Sequence, residues 1–163
     1  MKAQTYNKNP RMGWVSMANQ RLRINVDWSK EGARSVAKVR DLKVIIDEPV
    51  MLGGTNQGPN PVEYVLVALG GCMNVLLTGF AEMHGVELRD VKTTVEGVLD
   101  PEGYMGKNPD IRAGFQEITY FVEIDSPSDP AKVQELLEHA ERACPVKDTL
   151  TGVPVHFKQK VAR

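Results

Sequence analysis

The sequence predicts an α+β fold of the kind built from two main helices with mixed or antiparallel sheets. Two observations carry that expectation. Segments with strand periodicity cluster around two helical segments, in the order βββ-α-ββ-α-β, instead of alternating with them one by one. The composition is that of a folded domain, with 42% hydrophobic and 25% charged residues, and 163 residues suffice for a core. No internal repeat or linker is visible, so one domain over 1–163 is expected.

Residues 1–19 have no hydrophobic period and read as a polar, mobile arm. Over 21–28, Leu22, Ile24, Val26 and Trp28 alternate with Arg21, Arg23, Asn25 and Asp27, the period of a half-buried strand. A turn at 29–32 leads to a weaker strand pattern over 33–39, with Gly32 forming a hairpin. Residues 42–46 make a third strand, and 51–59 a loop containing Gly53, Gly54 and Gly58. A helix then starts with clear grammar. Asn60 suits the N-cap, Pro61 the first helical position, and Glu63 the position that closes a capping box. It should run to about residue 83 and stop at Gly85.

Residues 91–99 are strand-like and 100–114 turn-rich. Over 115–124 the alternation puts Ile118, Tyr120, Val122 and Ile124 on one face of a strand. Asp129 and Pro130 open an amphipathic helix over 130–143, whose apolar face carries Val133, Leu136, Leu137 and Ala140. Cys144-Pro145 interrupts it. One further helical turn is expected over 146–151 and a last strand over 154–161.

The net charge of -1, with Lys and Arg spread along the chain, offers no basic stripe for nucleic acid. The first residues contain no apolar signal-like run. Two cysteines make no disulfide scaffold, so a cytoplasmic setting with reduced thiols is the default expectation. Residues 65–81 are apolar except for Asn74 and Thr78, close to the shortest membrane-spanning length. Gly70-Gly71, Asn74 and the lack of basic flanks argue against a span. An all-round apolar helix in a soluble chain is one covered on all sides. A small domain rarely surrounds a helix by itself, which points to a partner subunit.

Two sulfurs stand out. Cys72 follows Gly70-Gly71 inside the long helix, where each glycine costs about 1 kcal/mol against alanine. That cost suggests close approach of another backbone or a ligand. Read from the residues alone, Cys72 is either a small buried hydrophobe or a reactive thiol. Cys144 sits at a proline-marked helix break. Pairing the two needs Cα atoms within about 7 Å, which spacing leaves open. His84, His139 and His156 show no metal-ligand spacing, and no metal site is expected.

The stretch GPNPVEYVLVALGGCMN, followed about seventy residues later by ACPV, resembles the OsmC/Ohr family of thiol-dependent organic hydroperoxide reductases. The shared features are the Gly-x-Asn-Pro helix start, an acidic residue just inside it, a small-small-Cys in the first long helix, and Cys-Pro-Val after the second. The order of elements agrees over nearly the whole chain. The resemblance implies an intertwined homodimer with central helices and active sites at the subunit interface. It implies that Cys72 is the peroxide-attacking thiolate and Cys144 the resolving cysteine, with no cofactor but an external dithiol reductant. An arginine from an early strand would lower the thiolate pKa, held by a glutamate at the start of the cysteine helix. Arg34 and Arg40 are the candidates for the arginine. The glutamate that directly follows the proline in the reductases is Val62 here, and Glu63 comes one residue later, about 100° around the helix. Glu63 is therefore open to two readings, catalytic acid or cap partner of Asn60. An apolar interface pocket near Leu69, Cys72 and Met73 would favour an alkyl or acyl peroxide over hydrogen peroxide. The alternative is an OsmC-like binding or redox-sensing protein, with an apolar ligand in the interface cleft and little or no peroxidase activity.

Overall fold

The computed structural model describes residues 19–160. All but the last residue of the expected N-terminal arm, and Val161 of the expected last strand, lie outside the described residues. The chain forms two compact units, Met1–Tyr64 and Val65–Arg163.

In the first unit, β1 (Asn25–Trp28), β2 (Ser35–Val39) and β3 (Leu42–Ile46) form an antiparallel sheet in that order. β1 is shorter than the period suggested. Asn25 pairs with Lys38, near the end of β2, so the residues before it lack a ladder partner. The expected burial of one face is also not met, since Leu22, Ile24, Val26 and Trp28 are all exposed. β2 starts at Ser35 because 29–34 close a loop, with the Ser29 N–H on the Arg34 carbonyl and the Arg34 N–H on that of Glu31, both 3.0 Å. A two-residue turn joins β2 to β3.

The following loop is gathered around the Asp47 carboxylate, which is fully buried. It accepts the N–H groups of Glu48, Thr55 and Gln57 and, at 2.6 Å, the Thr55 hydroxyl. Burial alone would raise the Asp47 pKa. The bonds from the Thr55 hydroxyl and the Gln57, Glu48 and Thr55 backbone outweigh it and hold the group well below the usual carboxylate range. A single 3-10 turn, Val50–Leu52, lies within this loop.

The long helix α1 (Pro61–Phe80) starts as its sequence requires. Asn60 Oδ1 accepts the Glu63 N–H, and a Glu63 carboxylate oxygen accepts the Asn60 N–H, both at 2.8 Å. Regular helix ends at Phe80, short of residue 83. The chain continues to turn until Gly85, at φ +60°, where the Val86 N–H reaches the Ala81 carbonyl and the Gly85 N–H that of Glu82. This is the Schellman stop that the glycine predicted.

The second unit is a mixed sheet, β4 (Asp90–Val98), β5 (Glu117–Asp125) and β6 (Val155–Lys160), with β5 central. β4 runs antiparallel to β5 and β6 parallel to it. Between β4 and β5 lies a short helix absent from the expectation, α2 (Pro101–Tyr104), which Asp100 caps through the Glu102 N–H. α3 (Pro130–Ala143) is capped by Asp129 as expected, and α4 (Pro145–Thr149) follows after Cys144. The core joins Leu69, Met73 and Leu77 of α1, Ile118, Tyr120 and Val122 of β5, and Leu136, Leu137 and Ala140 of α3.

Within the second unit α1 is not covered on all sides. Leu69, Gly70, Met73 and Leu77 are buried, whereas Val67 and Val75 are 58% and 69% exposed. Successive residues step about 100° around a helix. Val67, Ala68, Gly71, Val75 and Thr78 therefore share one arc, and every one of them is exposed. Among the described residues α1 is the helix long and apolar enough to cross a membrane by length and composition, and 22% of that stretch is buried within the chain.

Candidate active site: a cysteine pair between two helices

The two cysteines meet. Cys72 Sγ and Cys144 Sγ lie 3.2 Å apart, both as free thiols sharing a hydrogen bond. α1 supplies Cys72, half-buried on the flank between the core face and the exposed arc. Cys144, 1% exposed, caps both ends of a corner: it is the last cap of α3 and the N-cap of α4. Pro145 makes that corner, because a proline cannot continue α3 yet suits the first position of a new helix.

The first turn of α4 faces the sulfurs. The Lys147 N–H donates to Cys144 Sγ at 3.4 Å, and the Val146 backbone amide acts on Cys72. These amides favour negative charge on sulfur. The net effect on Cys72 is opposite. Burial, and then the hydrogen bond and the charge of Cys144, push its thiol above the ordinary value, and the Val146 amide only partly offsets them. Within residues 65–160 no guanidinium or ammonium group hydrogen-bonds either sulfur.

The remaining sequence candidates belong to the first unit, where each has a local role. Glu63 holds the Asn60 N–H as the second half of the capping box. Arg34 precedes β2 instead of lying on it; its guanidinium is 2.6 Å from the Glu31 carboxylate and its Nε donates to Ser29 Oγ. Arg40 is not on a strand either, but occupies the β2–β3 turn with φ +56°.

Beside Cys72, Leu69 and Met73 are fully buried in the core. A cavity of about 340 Å³ lies on the other flank of α1, between Leu66, Val67, Gly70 and Asn74 and the β4 residues Thr93 and Val95. There Thr93 Oγ1 donates to Asn74 Oδ1 at 2.6 Å.

Two groupings went unread in the sequence. The seemingly scattered His84 and His139 share a ring hydrogen bond of 2.9 Å, with Phe80 stacked on His139. Tyr120, fully buried, donates its hydroxyl to Glu141, whose carboxylate also holds Lys147 Nζ at 3.2 Å. A signal for the second was available, since a tyrosine on the inward face of an apolar strand needs a partner for its hydroxyl. Among the described residues no three metal-ligating side chains cluster.

A family model for OsmC-like proteins matches residues 54–158, a segment that contains both cysteines and Glu63 and begins after Arg34 and Arg40. The chain belongs to the OsmC-like family. Solved structures agree with this at the level of the OsmC-like fold. An OsmC-like protein from Mycoplasma pneumoniae is 18% identical with a TM-score of 0.77, over 90% of this chain and 100% of that one. An organic hydroperoxide resistance protein OsmC from Legionella pneumophila is 19% identical with a TM-score of 0.61, over 90% and 99%. The organic hydroperoxide resistance protein OhrB of Bacillus subtilis is 20% identical with a TM-score of 0.56, over 86% and 98%. Curated protein sequences give no match.

Proposed function

We propose that this OsmC-like protein is a thiol-dependent reductase of organic hydroperoxides, working as a homodimer through Cys72 and Cys144. The observation that carries the reading is the 3.2 Å separation of a half-buried and a fully buried thiol. It is supported by the likeness to proteins described as organic hydroperoxide resistance proteins.

In the proposed cycle the Cys72 thiolate attacks the peroxide. An S–O bond forms as the O–O bond breaks, and the alcohol leaves, taking a proton. Cys72 is then a sulfenic acid. Cys144 attacks that sulfur; the S–S bond forms, the S–O bond breaks, and the hydroxyl leaves as water with the Cys144 proton. An external dithiol reduces the disulfide by two exchange steps and is itself oxidised. No bound cofactor is required, and a reducing, cytoplasmic setting suits both the resting thiols and the reductant.

The second copy is argued from α1. Its exposed arc runs beside Cys72, so a partner laid along that arc would border the sulfur and complete the site. A Cβ added at Gly71 on the arc would meet nothing within 4 Å beyond its own helix, leaving the glycine's helix cost unexplained until another surface approaches. A partner would also supply the cation that Cys72 lacks within residues 65–160. Thr78 and Gly71 on the arc suit packing against protein. The test of the copy is a mass measurement in detergent-free solution, where a monomer at all concentrations would end this part of the reading.

The test of activity is consumption of cumene or tert-butyl hydroperoxide by the purified chain with a dithiol, lost in Cys72→Ser. Absence of turnover with any hydroperoxide and reductant would favour a second reading, an OsmC-like binding or redox-sensing protein. That reading draws on the raised Cys72 thiol, on Val62 at the reductases' glutamate position, and on Glu63 engaged in the helix cap.

A further inference from the structure

We propose that Glu141 is a positioning residue for the cysteine pair, acting through Lys147. The chain of contacts starts in the core. Tyr120, in the centre of β5 and fully buried, donates its hydroxyl to Glu141 on α3. The same carboxylate oxygen holds Lys147 Nζ at 3.2 Å, and that ammonium lies 5.9 Å above the Tyr120 ring. Lys147 is the third residue of α4, and its backbone N–H meets Cys144 Sγ at 3.4 Å. One residue is thus tied at its side chain to the core and at its backbone to a sulfur.

The anchoring matters because α4 has five residues, too few to hold a helical turn by themselves. Its geometry depends on what pins it. An exposed ion pair would pin it weakly. This one is backed by a buried hydroxyl on the same oxygen, and the side chains of Glu141 and Lys147 are only 21% and 31% exposed. Hydrogen bonds to a charged group with this much shielding are the stronger kind.

The chemistry, taken from the reductase reading, gives the anchor its use. When Cys144 attacks the sulfenic sulfur of Cys72, it gives up its proton. Negative charge develops on Cys144 Sγ against the Lys147 N–H while the S–S bond forms and the hydroxyl departs from Cys72 as water with that proton. Removing the Glu141 carboxylate frees the Lys147 side chain and with it the donor at the sulfur.

The experiment uses the full chain and an oxidant that is not a peroxide. Wild type, Glu141→Gln, Glu141→Asp, Lys147→Met and Glu138→Gln are equilibrated in dithiothreitol redox buffers, and the rate of disulfide formation with diamide is followed against pH. Glu141→Gln should move the rate profile to higher pH, because the donor at Cys144 Sγ is lost, and lower the equilibrium constant for disulfide formation about tenfold, about 30 mV for a two-electron couple, because the corner no longer holds Cys144 against Cys72. Glu141→Asp should recover most of the shift, and Lys147→Met should reproduce it. Glu138→Gln, on the same helix surface, should leave both readouts at wild-type values. A folded Glu141→Gln with the wild-type constant and pH profile overturns the proposal, as does an equal shift in Glu138→Gln. Should Glu141→Gln fail to fold, Lys147→Met decides by the same two readouts. Because diamide replaces hydroperoxide, the two ideas fail separately. A chain that turns over no hydroperoxide yet shows the Glu141 shift ends the reductase reading and keeps this one.

Discussion

Cys72 Sγ stands 3.2 Å from Cys144 Sγ, although 72 residues separate them in the chain. A helix flank and a proline-made corner converge there. Mild oxidation should therefore convert both thiols to one intramolecular disulfide, read by mass spectrometry as the loss of two hydrogens. In Cys144→Ser, oxidation with hydroperoxide should stop at a Cys72 sulfenic acid that dimedone traps. Two thiols that stay inert under these conditions would contradict the redox assignment.

The adjacent glycines of α1 should respond differently to substitution. A side chain at Gly70 would start 3.2 Å from Val95 Cγ2, whereas one at Gly71 would meet nothing within 4 Å. Gly70→Leu should overpack the helix against β4 and cost about 1–3 kcal/mol at any protein concentration. Gly71→Leu should leave the fold intact but weaken self-association, seen by sedimentation across a dilution series. If the proposed dimer forms, its Cys72 should also be alkylated with a midpoint at higher pH than in wild type, because a separated chain keeps the raised thiol and loses the cation a partner would bring.

Glu63 can be assigned by its amide. In the capping box its role is to accept the Asn60 N–H, which Gln also does. Glu63→Gln should thus retain hydroperoxide turnover, while Asn60→Ala lowers stability by about 1 kcal/mol, measured by urea titration. Loss of turnover in a stable Glu63→Gln would return the residue to the catalytic machinery.

Asp47 sets a pH limit on the loop it gathers. Its folded pKa is depressed, so its contribution is complete above the ordinary carboxylate value, about 4, and fades as the pH falls through the depressed one. Acidification below about pH 4 should open residues 48–57 to hydrogen exchange. Asp47→Asn should show the same opening at neutral pH, since an amide cannot accept from all these donors at once.

Local grammar explains why much of the fold could be read from sequence. Asn60 with Glu63, Asp129 with Pro130, and Gly85 each act within one or two helical turns, and each performs the capping role its residue type suggests. The inward face of β5 was likewise legible from Ile118, Tyr120 and Val122. What could not be read depends on distant partners. Nothing in the alternation of Leu22, Ile24, Val26 and Trp28 says whether a layer covers them. The parallel seating of β6 beside β5 comes from packing, since Val155 and Phe157 would alternate equally well in an antiparallel strand. At the site, each cysteine was conspicuous by its rarity, but their proximity is tertiary. So is the meeting of Tyr120, Glu141 and Lys147, which three separate elements bring together.

The double duty of Cys144, ending α3 and beginning α4, gives its oxidation a mechanical side. A bond to Cys72 would close residues 72–144 into a covalent ring enclosing β4, β5 and α3. By the chain-entropy model a ring of that size stabilises the folded state by about 4 kcal/mol. Oxidised and reduced protein would then differ in endurance, the ring form resisting heat and protease and the open form yielding sooner. A chain whose sulfurs record exposure to oxidant would carry that record as a change in its own lifetime.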